Sequence, residues 1–192
     1  MLSPLFWIVA SFLPPVAPPA AQTCTDIRTF DFKDAIVHLS SQDENEAKGL
    51  FNAPYPNSFW FRLHNGTGSI SPDGGVTQEW HEELLDDRTV HPEPSLWLRV
   101  LVLEHRHLLG SGTWRYILIL RCEDHLLTPV FQFNAEGVRL EHLDDSGFKL
   151  SQTLWTPTDP HSHPSKHRDL FYRWSPRQHR YLRTEEPPIP AS

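Results

Sequence analysis

Several features that mark large protein classes are missing from the sequence. No apolar run approaches the roughly 20 residues of a membrane-spanning helix. Nucleophile elbows of the Gly-x-Ser-x-Gly type, glycine-rich phosphate loops and His-Glu-x-x-His zinc motifs are all absent. Positive charge is scarce, since 17 Lys and Arg stand against 24 Asp and Glu, and no basic stripe stands out. We therefore expect no nucleic-acid partner and no membrane span in the mature chain.

Charge is absent altogether from the first 25 residues, which contain no Lys, Arg, Asp or Glu. An apolar run of about nine residues at positions 5–13, too short to cross a bilayer, is followed by two prolines and by small residues up to Ala21. This layout is typical of a secretory signal peptide, residues 1–21, cleaved after Ala21. Two alternatives stay open: an apolar N-terminus on a cytosolic protein, and acylation at Cys24, although the lipobox residues before Cys24 are missing. The expected mature protein is periplasmic or secreted.

The remainder of the chain is predicted to form one domain with a short tail. Removing the leader leaves about 170 residues, enough for a single hydrophobic core, and residues 22–184 form this predicted domain. Seven Trp and 11 Phe supply large buried areas from few residues, while 18 Pro argue against long helices. Residues 185–192 contain three prolines and are expected to be a disordered tail.

Apolar patterning predicts a mainly β fold. Runs at 96–103 and 114–120 are apolar on both faces over much of their length, which is typical of interior strands of a covered sheet. Residues 76–84 space apolar side chains at four-residue steps and predict one short amphipathic helix. We expect an antiparallel sheet, a sandwich or a partly open barrel, with an α+β arrangement as the alternative. Further strands are predicted at 35–39, 58–64, 128–134, 138–143, 148–155, 170–174 and 179–183, with turn signals such as Asn65-Gly66 between them. Residues 156–169, rich in Pro, Ser and His, are predicted to form an ordered loop.

Only two cysteines are present, Cys24 and Cys122. In an oxidising compartment an even pair points to a disulfide that ties the mature N-terminus to the core. The alternative is a small buried Cys122 on a strand and a Cys24 in a frayed end, because sequence alone does not bring the two Cα atoms within the ~7 Å that a bridge needs. Both possibilities stay open at this stage.

Twelve histidines make the chain histidine-rich, and the densest group lies at 159–167. In an extended segment His161 and His163 point to the same side. Asp159 or His167 adds a third ligand of the kind that zinc and copper accept. The alternative is a polar loop whose imidazoles face water, in a protein without any cofactor. A zinc or copper site is therefore one of two hypotheses for this segment.

No constellation in the sequence carries covalent chemistry, so enzymatic activity is left open and a binding role is favoured. We expect Trp155, His161, His163 and Tyr172 to be exposed loop residues that contact a partner. That partner is an unknown extracytoplasmic protein or small ligand. The alternatives are a metal-dependent hydrolase or metal-handling protein that uses the same histidines, and an inhibitor of an extracellular enzyme.

The order of motifs carries one family resemblance, over residues 58–183. A glycine-serine turn at 110–112 leads into an aromatic strand, a proline-serine loop follows at 159–165, and an aromatic motif at 172–174 opens the last hairpin. This arrangement resembles a loose group of bacterial secreted proteins and lipoproteins that includes the mycobacterial LppP/LprE lipoproteins. The resemblance implies export and a β-rich architecture but no catalytic residues. Ser162-His163 stands where that group has a cysteine pair, so a thiol role of this loop is not implied.

Overall fold

The structure is a computed structural model that describes residues 22–40, 58–72, 81–106, 113–154, 156, 159 and 166–185. The predicted signal peptide, residues 1–21, lies outside these residues, and so does the predicted tail beyond residue 185. In the part of the chain that the structure describes, no helix has the length and apolar character needed to cross a membrane.

Seven antiparallel strands follow one another in chain order and form a single sheet that curls into a half-barrel. The predicted Asn65-Gly66 turn joins the second strand to the third, with φ angles of 54° and 80°. Asparagine and glycine tolerate this left-handed conformation, which matches the twist of a hairpin. The strands are β1 (Ile36–Ser40), β2 (Ser58–His64), β3 (Thr67–Pro72), β4 (His81–Glu93), β5 (Leu96–Arg106), β6 (Thr113–Glu123) and β7 (Leu126–Glu136).

Four further strands form a second antiparallel sheet, in the spatial order β11-β10-β9-β8. They are β8 (Arg139–Glu141), β9 (Gly147–Leu154), β10 (Lys166–Ser175) and β11 (Arg180–Thr184). The only helix among the described residues is a single 3-10 turn at Phe32–Asp34. The prediction of a mainly β fold, with antiparallel sheets in a sandwich or partly open barrel, is confirmed.

Strands β5 and β6 are buried on both faces, as their apolar runs predict. On one face Leu101 and Leu103 belong to a cluster that the chain N-terminal to β1 covers. On the other face Val100 and Val102 belong to a cluster that includes Phe148 of the second sheet. Because successive side chains of a strand point to opposite faces, the same two strands contribute to two hydrophobic cores.

Residues 22–35, called here the N-terminal strap, close the first of these cores. Phe32 is fully buried within the cluster. The disulfide Cys24–Cys122 attaches the beginning of the strap to β6, with the two Cα atoms 5.5 Å apart. The strap therefore combines a covalent attachment with apolar packing.

The side chain of Arg99 on β5 holds the middle of the strap. One guanidinium nitrogen donates a hydrogen bond to the backbone carbonyl oxygen of Arg28, at 2.9 Å. The other nitrogens pair with the carboxylate of Asp87 on β4, including a bond of 2.8 Å. Because Arg99 and Asp87 are both largely buried, the pair connects the strap to two neighbouring strands of the large sheet.

Two sequence predictions of local structure are wrong. Residues 81–84 belong to β4 rather than to a helix, and they pair with β5, while 76–80 lie outside the described residues. A four-residue spacing of apolar side chains is also a multiple of the two-residue strand repeat, so it fits a strand as well as a helix. Pairing with a neighbouring strand decides between these two structures. Residues 166–169, predicted as part of a loop, begin β10 and pair with β9.

Candidate functional site

The residues that the sequence nominates for partner binding are only partly described. Trp155, His161 and His163 lie outside the described residues. Tyr172 is described, and the prediction that it is an exposed loop residue is wrong. Its side chain is 3% exposed, and its ring stacks on Phe148 with 5.1 Å between centroids. Alternation along β10 turns this side chain toward the core, so Tyr172 stabilises the fold rather than a complex.

Two members of the predicted metal set, Asp159 and His167, are described. Asp159 accepts a hydrogen bond from the backbone N–H of Thr156 at 2.8 Å, which closes a local turn. His167 is exposed within β10. Among the described residues no three His, Cys, Asp or Glu side chains are grouped so as to hold a metal ion. Because His161 and His163 lie outside that part of the chain, the zinc or copper site stays a prediction.

Positive charge is concentrated in one element, the hairpin formed by β10 and β11. We call residues 166–184 the basic hairpin. It contains one acidic residue, Asp169, in a chain whose net charge is −7. Asp169 lies 3.0 Å from the ammonium group of Lys149 on β9, which also pairs with Glu141, and these hydrogen bonds raise the pKa of Lys149. The six basic residues of the hairpin are Lys166, Arg168, Arg173, Arg177, Arg180 and Arg183.

Alternation along β10 determines which charges reach the outer surface of the basic hairpin. Leu170, Tyr172 and Trp174 are buried in the second core. Arg173 lies between two of them and therefore points to the outer face, where its partner across the hairpin is Leu182 of β11. The outer face thus combines apolar and cationic side chains.

Contacts at its base keep the basic hairpin in a fixed position. The indole N–H of Trp174 donates a hydrogen bond to the carboxylate of Glu93 on β4 at 2.7 Å, and the Trp174 ring packs edge-on against Tyr181. On the neighbouring strand, a Cβ atom at Gly147 would lie 2.2 Å from the carbonyl oxygen of Tyr172. Only glycine permits this close approach of β9 to β10.

A shallow groove of about 400 Å³ lies along the outer side of the basic hairpin and its turn. Its floor is apolar, and guanidinium groups flank it. Arg177 in the turn and Arg180 on β11 are exposed, and neither forms an ion pair with another described residue. Arg180 is oriented by a hydrogen bond of 3.0 Å to the side-chain oxygen of Gln178. The lining residues are Arg173, Trp174, Ser175, Pro176, Arg177, Leu182 and Thr184.

Two carboxylates that act on the inner face of the basic hairpin, Asp144 and Asp145, are not among the residues that line the groove. Burial, together with the charges of Asp145 and Asp144, raises the pKa of Tyr181 on the inner face. Asp144 accepts a hydrogen bond from the backbone N–H of Ser146 at 2.7 Å, and Asp145 accepts one from the backbone N–H of His91 at 2.6 Å. Asp144 therefore closes a local turn, and Asp145 connects that turn to β4.

A second charged group, buried at the far end of β5, is already satisfied within the protein. The Glu104 carboxylate, 5% exposed, accepts hydrogen bonds from Arg106 at 2.7 Å and from Arg115 at 3.0 Å. Burial by itself raises the pKa of Glu104, but the hydrogen bonds to the two guanidinium groups outweigh it and hold the pKa below 4.5. Arg115 also donates to the carbonyl oxygen of Val138, which ties β6 to the chain entering the second sheet. We assign this group a structural role.

The basic hairpin is the charged element that the sequence predictions missed. The whole-chain net charge of −7 hides a local excess of basic residues at 166–184. Counting charge by segment rather than over the whole chain is the signal that finds it.

Comparison of the chain with protein-family models, with curated proteins and with solved structures found no match. The resemblance to the LppP/LprE lipoproteins therefore stays a prediction. The arguments about function that follow rest on the charge and geometry of the basic hairpin.

Proposed function

We propose that this chain is an exported binding protein that holds an anionic partner on its basic hairpin and performs no covalent chemistry. Separation of charge is the observation that carries the proposal, because the basic hairpin holds six basic residues and one acidic residue in a chain of net charge −7. Four of the six, Lys166, Arg177, Arg180 and Arg183, are exposed. The export component rests on the uncharged leader. The disulfide between Cys24 and Cys122 fits an oxidising compartment.

Guanidinium groups favour partners with carboxylate, sulfate or phosphate groups, since their planar N–H donors match two oxygen atoms at once. Arg177 and Arg180 are exposed and keep these donors available to an incoming anion. The scaffold beneath them is rigid because Trp174 packs in the core and bonds to Glu93. A preorganised cationic surface loses little conformational freedom when a partner binds.

Retention on a sulfonate cation exchanger at about pH 7.5 tests the proposal, because a protein of net charge −7 is expected to flow through unless its cations are clustered. We expect the mature protein to be retained at low salt and the double variant Arg177→Gln/Arg180→Gln to lose retention. The matched control, Arg62→Gln/Arg139→Gln, removes the same charge from exposed positions outside the hairpin and should be retained. Flow-through of the unaltered protein, or equal loss in the control, would contradict the proposal.

The export component has a separate test. Mass spectrometry of the protein recovered from the periplasm or the medium should show an N-terminus at Gln22. Protein that is recovered from the cytosolic fraction with Met1 intact would reject export while leaving the anion-binding hairpin untouched.

A further inference from the structure

We infer that β7, the last strand of the large sheet, pairs with β7 of a second copy of this chain to form a two-fold symmetric dimer. In the sheet, β7 has a neighbouring strand on one side, β6. Within the part of the chain that the structure describes, no strand and no backbone hydrogen bond reaches its other side. A strand edge of this kind offers a row of N–H and C=O groups to an incoming strand.

The edge of β7 lacks the charges that usually prevent strands from pairing. Residues 126–135 contain no Lys, Arg, Asp or Glu. Charged side chains are a common protection of edge strands, and β11, at the edge of the second sheet, carries the exposed side chains of Arg180 and Arg183. The two edges therefore differ, and β7 is the one that an incoming strand meets without repulsion.

Two features limit the pairing to the second half of β7. Pro129 has no N–H to donate, and the register with β6 shifts beside it, so that Val130 forms a bulge. Proline and bulges interrupt pairing at a strand edge. The regular part of the edge therefore begins at Phe131 and ends with the strand at Glu136.

Alternation within this regular part determines the register of a symmetric pair. Phe131 and Phe133 pack against the second core, so Gln132 and Asn134 point to the opposite face. Residues directly opposite each other in an antiparallel pair share a face, so the two-fold axis passes through a residue position. With the axis at Phe133, Gln132 of each copy lies opposite Asn134 of the other. An axis at Gln132 would instead set Asn134 against the bulge at Val130.

The side chain of Gln132 favours a second copy as the occupant of this edge. Its carbonyl oxygen is buried and has no hydrogen-bond partner among the described residues. Its neighbour on β6 is Leu118, whose side chain has no donor. In the pair centred on Phe133, the amide of Asn134 of the second copy lies directly across and can donate to this oxygen. A buried acceptor without a donor in the single chain thus gains one in the dimer, and symmetry repeats the bond.

Sedimentation equilibrium of the mature, disulfide-bonded protein tests the inference. Because so short an interface is smaller than those of permanent dimers, we expect the average mass to rise toward twice the monomer mass between about 10 µM and about 1 mM protein. Asn134→Lys removes the proposed donor and adds charge to the edge, and should raise the dissociation constant at least about tenfold. The matched control, Leu126→Lys, adds the same charge to an exposed position of the same strand before Pro129 and should change it less than about twofold. Unaltered melting temperatures establish that both variants are folded.

Cross-linking tests the register with different variants. Phe133→Cys should form a disulfide-linked dimer under mild oxidation, because residues opposite each other on the axis have Cα atoms about 4.5–5.5 Å apart. Gln132→Cys should not, because its two copies are diagonal neighbours about 7–8 Å apart. The reverse result would show that the register is wrong.

Salt dependence separates edge pairing from electrostatic association. Two copies of net charge −7 repel each other, so added salt should strengthen a dimer that an uncharged edge holds. Association between the basic hairpin of one copy and acidic side chains of another would weaken instead. The inference is overturned by a protein that stays monomeric at about 1 mM, by a dimer that salt dissociates, or by equal weakening in Asn134→Lys and Leu126→Lys.

Discussion

Removal of the Cys24–Cys122 disulfide offers a direct test of how the N-terminal strap stabilises the fold. The two cysteines are 98 residues apart in the chain, so the cross-link restricts a large loop in the unfolded state. The chain-entropy relation gives about 4.7 kcal/mol at 25 °C for a loop of this length. Since marginal domains have about 5–15 kcal/mol in total, this loss is a large share of the stability of the protein.

Urea unfolding of three samples isolates the contribution of the cross-link. The oxidised protein is compared with the reduced protein and with Cys24→Ala/Cys122→Ala. With a urea slope of about 2 kcal/mol per molar, loss of the cross-link should lower the midpoint by about 2 M. The reduced protein keeps both sulfur atoms in place, so it reports the cross-link alone. The alanine variant loses packing in addition, because Cys24 is 1% exposed, and should be less stable than the reduced protein.

A midpoint shift below about 0.5 M in fully reduced protein would refute this reasoning, provided that labelling shows two free thiols. Such a result would mean that the unfolded chain gains little freedom when the bond is cut. Hydrogen exchange locates the effect: residues 22–35 should exchange faster in the reduced protein than the strands β5 and β6 do.

Three further results are expected. Phe148→Ala removes a fully buried ring from the second core and should lower the unfolding free energy by about 3–5 kcal/mol in urea titrations; a loss under 1 kcal/mol would contradict the packing described. Glu104→Gln should lower the unfolding free energy by about 2–3 kcal/mol at neutral pH. Because the pKa of Glu104 in the folded protein lies below 4.5, the difference in unfolding free energy between the variant and the unaltered protein should narrow as the pH falls through that pKa. A difference that does not change with pH would show that the carboxylate charge contributes nothing to stability. The metal hypothesis requires that untagged protein contain stoichiometric zinc or copper and that the variant His161→Ala/His163→Ala lose this metal. The hypothesis would be rejected if the purified protein were metal-free and its melting temperature did not respond to added zinc.

Local patterning was sufficient to predict the strands whose burial is strong and continuous. The apolar runs at 96–103 and 114–120 lie within β5 and β6, because a strand covered on both faces needs apolar side chains at most positions. Asn65-Gly66 forms the predicted turn because few other pairs adopt its two positive φ angles. Where the pattern was compatible with two periods, as at 76–84, the prediction of a helix was wrong for the residues that are described.

Composition and local pattern by themselves determined that this chain is a mainly β protein with two cysteines, an uncharged N-terminal segment and an excess of acidic residues. Only the tertiary structure decided that Tyr172 is buried, that Cys24 meets Cys122, and that Arg173 and Arg177 line one groove on the basic hairpin. The physical reason is that burial and proximity depend on strands that are far apart in sequence. The strap reaches β6 across 98 residues, and no short window of sequence contains both sides of such a contact.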